Sequence, residues 1–232
     1  MKTKNTLIII SCLVAQFSLA GEFKSERKKN VQAAFDIIRT EITTEGNTAK
    51  FEIEVSGKAG TIKPKKNNKF ASAQVFSYVW PTSIDPVEVG FEAKSGILAL
   101  AVTIHPDFND TPLFENDGSK WHTHWVVLTP DPECGDKGMK VKDIPNGVKP
   151  KLPKTWPGVP LYIDSPGYTP HFSKKVVYVK VPFDNIAAVD SSKFDGVTAG
   201  LRINASVHAP LLCIENIFKV ASGDLSLPGK VK

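Results

Sequence analysis

Apolar and polar side chains alternate along several stretches of the chain, as they do in a strand that buries one face. Phe51, Ile53 and Val55 point to one side of their segment, and the two glutamates between them point to the other. This pattern is typical of a half-buried antiparallel strand. Residues 45–47, Glu-Gly-Asn, tolerate the positive φ of a tight turn, so we predict a hairpin between this strand and the segment before it.

Eight segments alternate in this way or are rich in β-branched and aromatic residues, and almost none repeats at helical spacing. One helical candidate, 26–38, overlaps the first strand, and the pattern leaves open which of the two forms. Strands separated by glycine and proline, without crossover helices, predict an all-β fold, either an antiparallel two-layer sandwich or a jelly-roll-like barrel of about eight strands. The predicted strands are 35–43, 49–55, 73–80, 96–104, 121–128, 175–181, 197–207 and 211–220.

The composition does not change along the chain in a way that would divide it. We therefore predict one domain over residues 22–225, followed by a polar tail at 226–232. Within the domain, the segment 129–170 holds about half of the 17 prolines and has little periodicity. A structureless connection of that length is uncommon, so we interpret it as an ordered excursion over one end of the sheets, a lid or a covering flap.

The first twenty residues have the pattern of a cleaved bacterial secretory signal. Lys2 and Lys4 precede the apolar run 7–14, and residues 18–20 form a small-x-small cleavage site. The apolar stretch is too short to span a membrane, and no later stretch is longer, so we expect no integral membrane association. The alternative, lipoprotein processing at Cys12, is disfavoured because only about six apolar residues precede it. A periplasmic or secreted location follows.

Two cysteines, Cys134 and Cys213, remain once the leader is removed. Disulfides persist in exported proteins, so we predict a bridge between them that closes a loop of about 80 residues. Two buried free thiols are the alternative. Neither cysteine has the CxxC spacing of a redox or zinc motif.

The run Trp121-His122-Thr123-His124-Trp125 carries the strongest chemical signal in the chain. In a strand, His122 and His124 project from the same face with their Cα atoms roughly 7 Å apart, which allows both imidazoles to reach one metal ion. Apolar residues continue both faces of this strand, so both are expected to be buried. Burial disfavours the charged imidazolium, and a metal would satisfy one nitrogen of each neutral ring.

This His-x-His strand resembles the metal-binding strand of two unrelated β families, the cupins and the α-type carbonic anhydrases. The resemblance covers about five residues. A cupin motif would place a glutamate a few residues after the second histidine, where this chain has Val126-Val127-Leu128-Thr129. A carbonic anhydrase would follow with a Glu-x-His strand, which this chain lacks. The chain is therefore assigned to neither family.

A metal site needs at least a third ligand, and three further histidines are candidates. His105 ranks first because it ends the strand before His122, and short connections favour adjacent strands. His208 ends the strand that begins at residue 197 and is the next candidate, while His171 borders the proline-rich segment. A set of imidazoles suits Zn, Cu, Ni or Fe rather than Mg or Ca.

The segment from Asp107 to Asp117 is rich in the carboxylate and amide oxygens that Ca²⁺ prefers. Its glutamate, Glu115, and the glycine that follows it, Gly118, do not fit the spacing of an EF-hand, so we favour a solvated acidic turn and keep a Ca²⁺ site as the alternative. Its carboxylates can also serve the histidine site, because the segment connects His105 to His122.

The net charge of +5 does not indicate a nucleic-acid partner, because two of the lysines lie in the leader. The basic run 63–69 has no aromatic residues on which bases could stack, and predicts a solvated loop. The sequence offers no indication of a protein partner.

Three functions remain open at this point. The first is an exported metal-binding protein whose ligands are His122 and His124 with His105 or His208. The second is a metal-dependent enzyme with an open coordination position under the 129–170 segment. The third is a non-catalytic envelope module whose histidines are buried and idle. No general base lies beside the histidines in the sequence, which favours binding over catalysis.

Overall fold

The computed structural model describes residues 21–64, 74–105, 120–135, 138–203 and 212–232. In these ranges the regular secondary structure is nearly all β-strand. The exceptions are one short α-helix, α1 (Ile186–Asp190), and 3₁₀ turns at Pro86–Val89 and Pro132–Cys134. The strands are β1 (Glu22–Lys24), β2 (Ile37–Glu45), β3 (Thr48–Val55), β4 (Gln74–Pro81), β5 (Ile97–Ile104), β6 (His122–Pro130), β7 (Met139–Val141), β8 (Ile163–Asp164), β9 (His171–Ser173), β10 (Val176–Pro182), β11 (Lys193–Phe194), β12 (Val197–Ile203), β13 (Leu212–Val220) and β14 (Gly229–Lys230).

The all-β prediction is confirmed, and each of the eight predicted strands corresponds to one of β2, β3, β4, β5, β6, β10, β12 and β13. The helical candidate 26–38 forms turns instead, closed by hydrogen bonds from the amides of Phe35 and Asp36 to the Gln32 carbonyl. Ile37 then begins β2. None of the helices in the described ranges has both the length and the apolar character needed to cross a membrane.

Five strands form an open antiparallel sheet in the order β1-β2-β3-β10-β9. The predicted hairpin joins β2 to β3, and Gly46 in its turn has a φ of 59°. Alternate residues of these strands, among them Ile42, Phe51 and Val179, are completely buried. The polar residues between them form the outer face of the sheet, where Arg39 pairs with Glu41, Glu52 and Glu54.

Six further strands form a sheet that closes on itself, in the order β5-β4-β12-β13-β7-β6, because β5 pairs with both β4 and β6. β8 extends this closed sheet beyond β6 through the pairs Trp125↔Asp164 and Val126↔Ile163. The segment 129–170 is therefore an ordered excursion that contributes β7 and β8 and packs along the side of β6.

The strands β4, β5 and β6 bury both faces, since one face packs on the open sheet and the other lines the interior of the closed sheet. Between the two sheets, the Phe51 ring contacts Trp80 and Trp125 edge to face, with centroids 6.0 and 5.8 Å apart. The opposite faces enclose a second apolar cluster that includes Ala99, Ala101 and Ala199. We call the space inside the closed sheet the lumen. A cavity of about 130 Å³ remains there.

Two covalent or ionic links join distant parts of the chain. Cys134 and Cys213 form the predicted disulfide, with their Cα atoms 5.4 Å apart, and so fix β13 to the turn that follows β6. Lys219 on β13 donates to the Asp36 carboxylate at 2.7 Å, and both side chains are shielded from solvent. At the chain end, where the sequence indicates a polar tail, β14 pairs with β11.

Candidate metal centre

The register of β5 and β6 brings three histidines to one end of the lumen. Ala101 lies opposite His124, and Thr103 lies opposite His122. Residues paired across antiparallel strands project to the same face, and His105 follows Thr103 on that face at the end of β5. The alternation of both strands therefore directs the three imidazoles toward a common point.

The ring nitrogens of this group are close enough to share one ion. His105 Nε2 and His122 Nε2 are 2.8 Å apart. The His122 ring centroid lies 4.6 Å from those of His105 and His124, and one nitrogen from each of the three rings lies within 4.8 Å of the others. His105 and His124 are buried, with 4% and 2% of their surface exposed, while His122 is half-buried at the edge.

In His122 and His124, a hydrogen bond to a backbone carbonyl determines which ring nitrogen carries the proton. The Nδ1 atom of His122 lies 3.2 Å from the Lys120 carbonyl oxygen, and that of His124 lies 3.2 Å from the Asp164 carbonyl oxygen. A carbonyl oxygen can only accept, so each Nδ1 donates and each Nε2 keeps its lone pair. Metal-binding histidines in proteins are typically oriented by such a hydrogen bond at the other ring nitrogen.

His124 Nε2 is buried and has no hydrogen-bond partner among the residues that the structure describes. Leaving a buried polar atom unsatisfied costs about 1–3 kcal/mol. Protonation cannot relieve this cost, because burial lowers the pKa of His124 well below its ordinary value, and the neighbouring His122 and His105 lower it further. A metal ion is the partner that a buried, neutral imidazole nitrogen can take without gaining a proton.

The contact between His105 and His122 requires either a shared proton or a metal ion. Two nitrogen lone pairs do not face each other at 2.8 Å unless a proton or a metal ion lies between them. Two imidazole nitrogens bound to one tetrahedral ion at about 2.1 Å are about 3.4 Å apart. A small opening of this pair therefore gives the spacing of a metal site.

The shell around His124 comes from the segment 163–165, which the sequence analysis did not include in the site. The Ser165 hydroxyl lies 3.1 Å from His124 Nδ1, beside the Asp164 carbonyl. The Asp164 side chain accepts a hydrogen bond from the Thr155 hydroxyl at 2.7 Å. Burial raises the pKa of Asp164 to about 6, although the hydrogen bonds from Thr155 and the Ser165 amide oppose the shift.

The structure describes only some of the other residues that the sequence suggested as metal ligands. His171 is exposed on β9, where its ring stacks on Tyr178 at 4.8 Å, and it is not part of the histidine group. His208 and the proposed Ca²⁺ segment from Asp107 to Asp117 lie outside the described residues. Most of the basic run 63–69 also lies outside them. The roles predicted for His208, for the segment from Asp107 to Asp117 and for the basic run therefore stay predictions.

A set of three imidazole ligands prefers particular metal ions. Neutral imidazole suits Zn, Cu, Ni and Fe, and a three-histidine set leaves one coordination position for water or another ligand. Within the described part of the chain, no carboxylate joins the three histidines.

Comparison with known proteins provides no relative from which a function follows. No family model, no curated protein and no solved structure matches this chain. Its function has to be inferred from the three histidines and their surroundings.

Proposed function

We propose that this protein binds one transition-metal ion outside the cytoplasm, with His105, His122 and His124 as ligands. The observation that carries the proposal is the His124 Nε2 atom, which is buried and without a hydrogen-bond partner among the described residues, on a ring that has a nitrogen within 4.8 Å of nitrogens of the other two. Zn, Cu, Ni and Fe fit the imidazole set.

Idle, purely structural histidines would be expected to have a different environment. A packed histidine usually satisfies both ring nitrogens with neighbouring donors or acceptors. Here His124 uses its Nδ1 atom for hydrogen bonding, while its buried Nε2 atom has no partner among the described residues. His122 Nε2 lies 2.8 Å from His105 Nε2 and 3.3 Å from the Thr103 hydroxyl. This arrangement supports metal binding over simple packing.

Two features support an extracytoplasmic location. The disulfide between Cys134 and Cys213 is typical of an oxidising compartment. The first twenty residues, which lie outside the described ranges, have the pattern of a secretory signal. Export would also expose the site to metals that the cytoplasm keeps scarce or bound.

Binding is favoured over catalysis at this site. A hydrolytic metal centre needs an open coordination position and a nearby group that moves protons. The three histidines leave the position open, but no carboxylate joins them among the described residues. The protein is therefore proposed to hold or deliver a metal rather than to turn over a substrate.

Metal content provides the test. The protein is expressed with its leader, purified from the exported fraction without an affinity tag, and analysed by inductively coupled plasma mass spectrometry. We expect about one metal ion per chain, and a loss of at least about tenfold in His122→Ala/His124→Ala. His171→Ala is the matched control, because His171 is exposed on β9 and outside the group.

A chelator separates metal loss from misfolding. EDTA should lower the thermal unfolding temperature of the wild type and of His171→Ala toward that of the double variant, because only the native site binds the ion. Equal metal content in the wild type and the double variant would exclude this site as the location of the metal.

A further inference from the structure

The lumen is apolar along nearly its whole length. Among the described residues that line it there is no Asp, Glu, Lys or Arg, and its polar groups are the hydroxyls of Ser77 and Thr103 and the imidazoles of His105 and His124 at the inner end. The Ser77 hydroxyl, in the middle of the lining, donates to the Ala199 carbonyl at 3.0 Å, so its polar atom is already used within the wall. A molecule in this space would meet methyl and methylene groups almost exclusively.

Small side chains create the space. Ala101 and Ala199 line the lumen at positions where larger residues would fill it, and about 130 Å³ remains. Protein interiors rarely leave voids larger than a water molecule, and an apolar wall cannot offer the two to four hydrogen bonds that a buried water needs. An apolar cavity of about 150 Å³ stays dry and accepts benzene, so this lumen has room for a single aromatic ring.

The end of the lumen away from the histidines is bordered by exposed apolar side chains. Ile97 is 39% exposed, Ile217 is 51% exposed and Leu225 is 37% exposed, and all three line the cavity. Ile97 begins the strand that leads to His105, roughly 26 Å away along β5. The apolar border therefore lies at the opposite end from the proposed metal.

A strained turn frames this border. Leu225 and Leu227 both line the cavity, and both have left-handed backbones, with φ of 60° and 52°. Such a conformation is unfavourable for a residue other than glycine and persists only where neighbouring contacts impose it. The Ser222 hydroxyl accepts the amides of Asp224 and Leu225 and donates to the Asp195 carboxylate, which holds the turn in place.

We propose that the lumen is a binding site for a small, uncharged, apolar molecule of about the size of one aromatic ring, entering between Ile97, Ile217 and Leu225. The site shares the lumen with two of the proposed metal ligands, because His105 and His124 line its inner end, but it does not require the metal. The dimensions, the uncharged wall and the exposed apolar border define this class of ligand. Anions and sugars are excluded, because they would lose their hydration without gaining hydrogen bonds from the wall.

Benzene is the probe for this proposal. Binding to the purified protein is measured by saturation-transfer NMR and by the benzene-dependent rise in thermal unfolding temperature. We expect binding to the wild type and a loss of at least about tenfold in Ala199→Phe, whose ring would occupy the space. Ala187→Phe is the matched control, because it adds the same ring at an exposed position on α1.

Two further variants keep the test decisive. Ala199→Leu replaces Ala199→Phe if the larger side chain prevents folding. His122→Ala, which removes a proposed metal ligand that does not line the lumen, should still bind benzene, so loss of the metal site and loss of the lumen site are distinguishable. The proposal is overturned if the wild type does not bind benzene up to its solubility limit, or if filling the lumen at residue 199 leaves binding unchanged.

Discussion

The orientation of individual imidazole rings is fixed by groups outside the ligand set. His124 has its Nδ1 atom between the Asp164 carbonyl oxygen at 3.2 Å and the Ser165 hydroxyl at 3.1 Å. Ser165 is in turn held by a hydrogen bond from its amide to the Thr155 carbonyl. The ring is therefore aimed before any metal arrives, which reduces the ordering that binding would otherwise require.

Ser165→Ala tests this positioning role. The substitution removes one of the two partners of His124 Nδ1 and leaves the Asp164 carbonyl in place, so we expect metal affinity to fall by about tenfold. Competition with a chromophoric chelator measures the affinity. Ser192→Ala is the control, because the Ser192 hydroxyl is also buried but has no hydrogen-bond partner.

A structural role alone would give a different result. If Ser165 only contributed to packing, Ser165→Ala would lower the unfolding temperature of the metal-free protein and leave metal affinity unchanged. The account predicts the reverse, a change in affinity with little change in the metal-free unfolding temperature.

The sequence identified the three histidines but not the groups that orient them. His122 and His124 follow from strand periodicity, and His105 follows from the short connection between adjacent strands. Ser165 is 41 residues from His124. It reaches that ring through β8, a two-residue strand that is too short to produce a periodic pattern.

At the scale of elements, a buried ion pair connects β13 to the turn before β2. Lys219 donates to Asp36 at 2.7 Å and also to the Glu26 carbonyl. Burial by itself raises the pKa of Asp36, but hydrogen bonds from Lys219, Ser56 and the Lys28 amide outweigh it and hold that pKa below its ordinary value. This pair therefore contributes stability above about pH 4, and the contribution is lost as the pH falls through the lowered pKa.

Lys219→Met should destabilise the protein by about 3–5 kcal/mol at pH 7, because it leaves the Asp36 carboxylate buried and unpaired. At pH 3 the difference from the wild type should shrink. Without Lys219 the burial effect raises the pKa of Asp36, so the carboxyl is neutral at pH 3 and no longer costs desolvation. Urea unfolding at the two pH values measures both differences.

Lys24→Met is the control for this prediction. Lys24 pairs with Glu22 at 3.3 Å, but its side chain is 76% exposed, so its loss should cost less than about 1 kcal/mol at either pH. Equal destabilisation by Lys219→Met at pH 7 and pH 3 would show that Lys219 acts through packing rather than through its charge.

Strands with clear alternation were predictable, while the shortest ones were not. Residues 49–55 were predicted as a strand, and β3 occupies Thr48–Val55. The local pattern is enough there, because one face is buried and the other is polar. β1, β9, β11 and β14 have two or three residues each, so their pairing depends on the rest of the fold rather than on their own sequence.

At the scale of the whole molecule, the strands that carry the site belong to the closed sheet and pack with their other face on the open sheet. Trp125 and Val127 face the open sheet, while His124 and Val126 face the lumen. The sequence predicted that both faces of this strand are buried. It left open whether a sheet closes into a barrel, because the β4–β12 and β13–β7 pairings that complete the ring join segments far apart in the chain.

This architecture places two proposed sites at opposite ends of one interior. The histidines close the lumen at the end of β5, and the apolar border with Ile97, Ile217 and Leu225 lies at the other end. The disulfide between Cys134 and Cys213 fixes β13, which forms part of the lumen wall, to the turn after β6. Metal and apolar ligand can therefore occupy the molecule at the same time.

X-ray absorption at the K-edge of the bound metal tests the central claim most directly. The account predicts a first coordination shell with three imidazole nitrogens at about 2.0–2.1 Å from the ion, and loss of that signal in His122→Ala/His124→Ala. A shell without imidazole, or the same three-imidazole shell in the double variant, would contradict it.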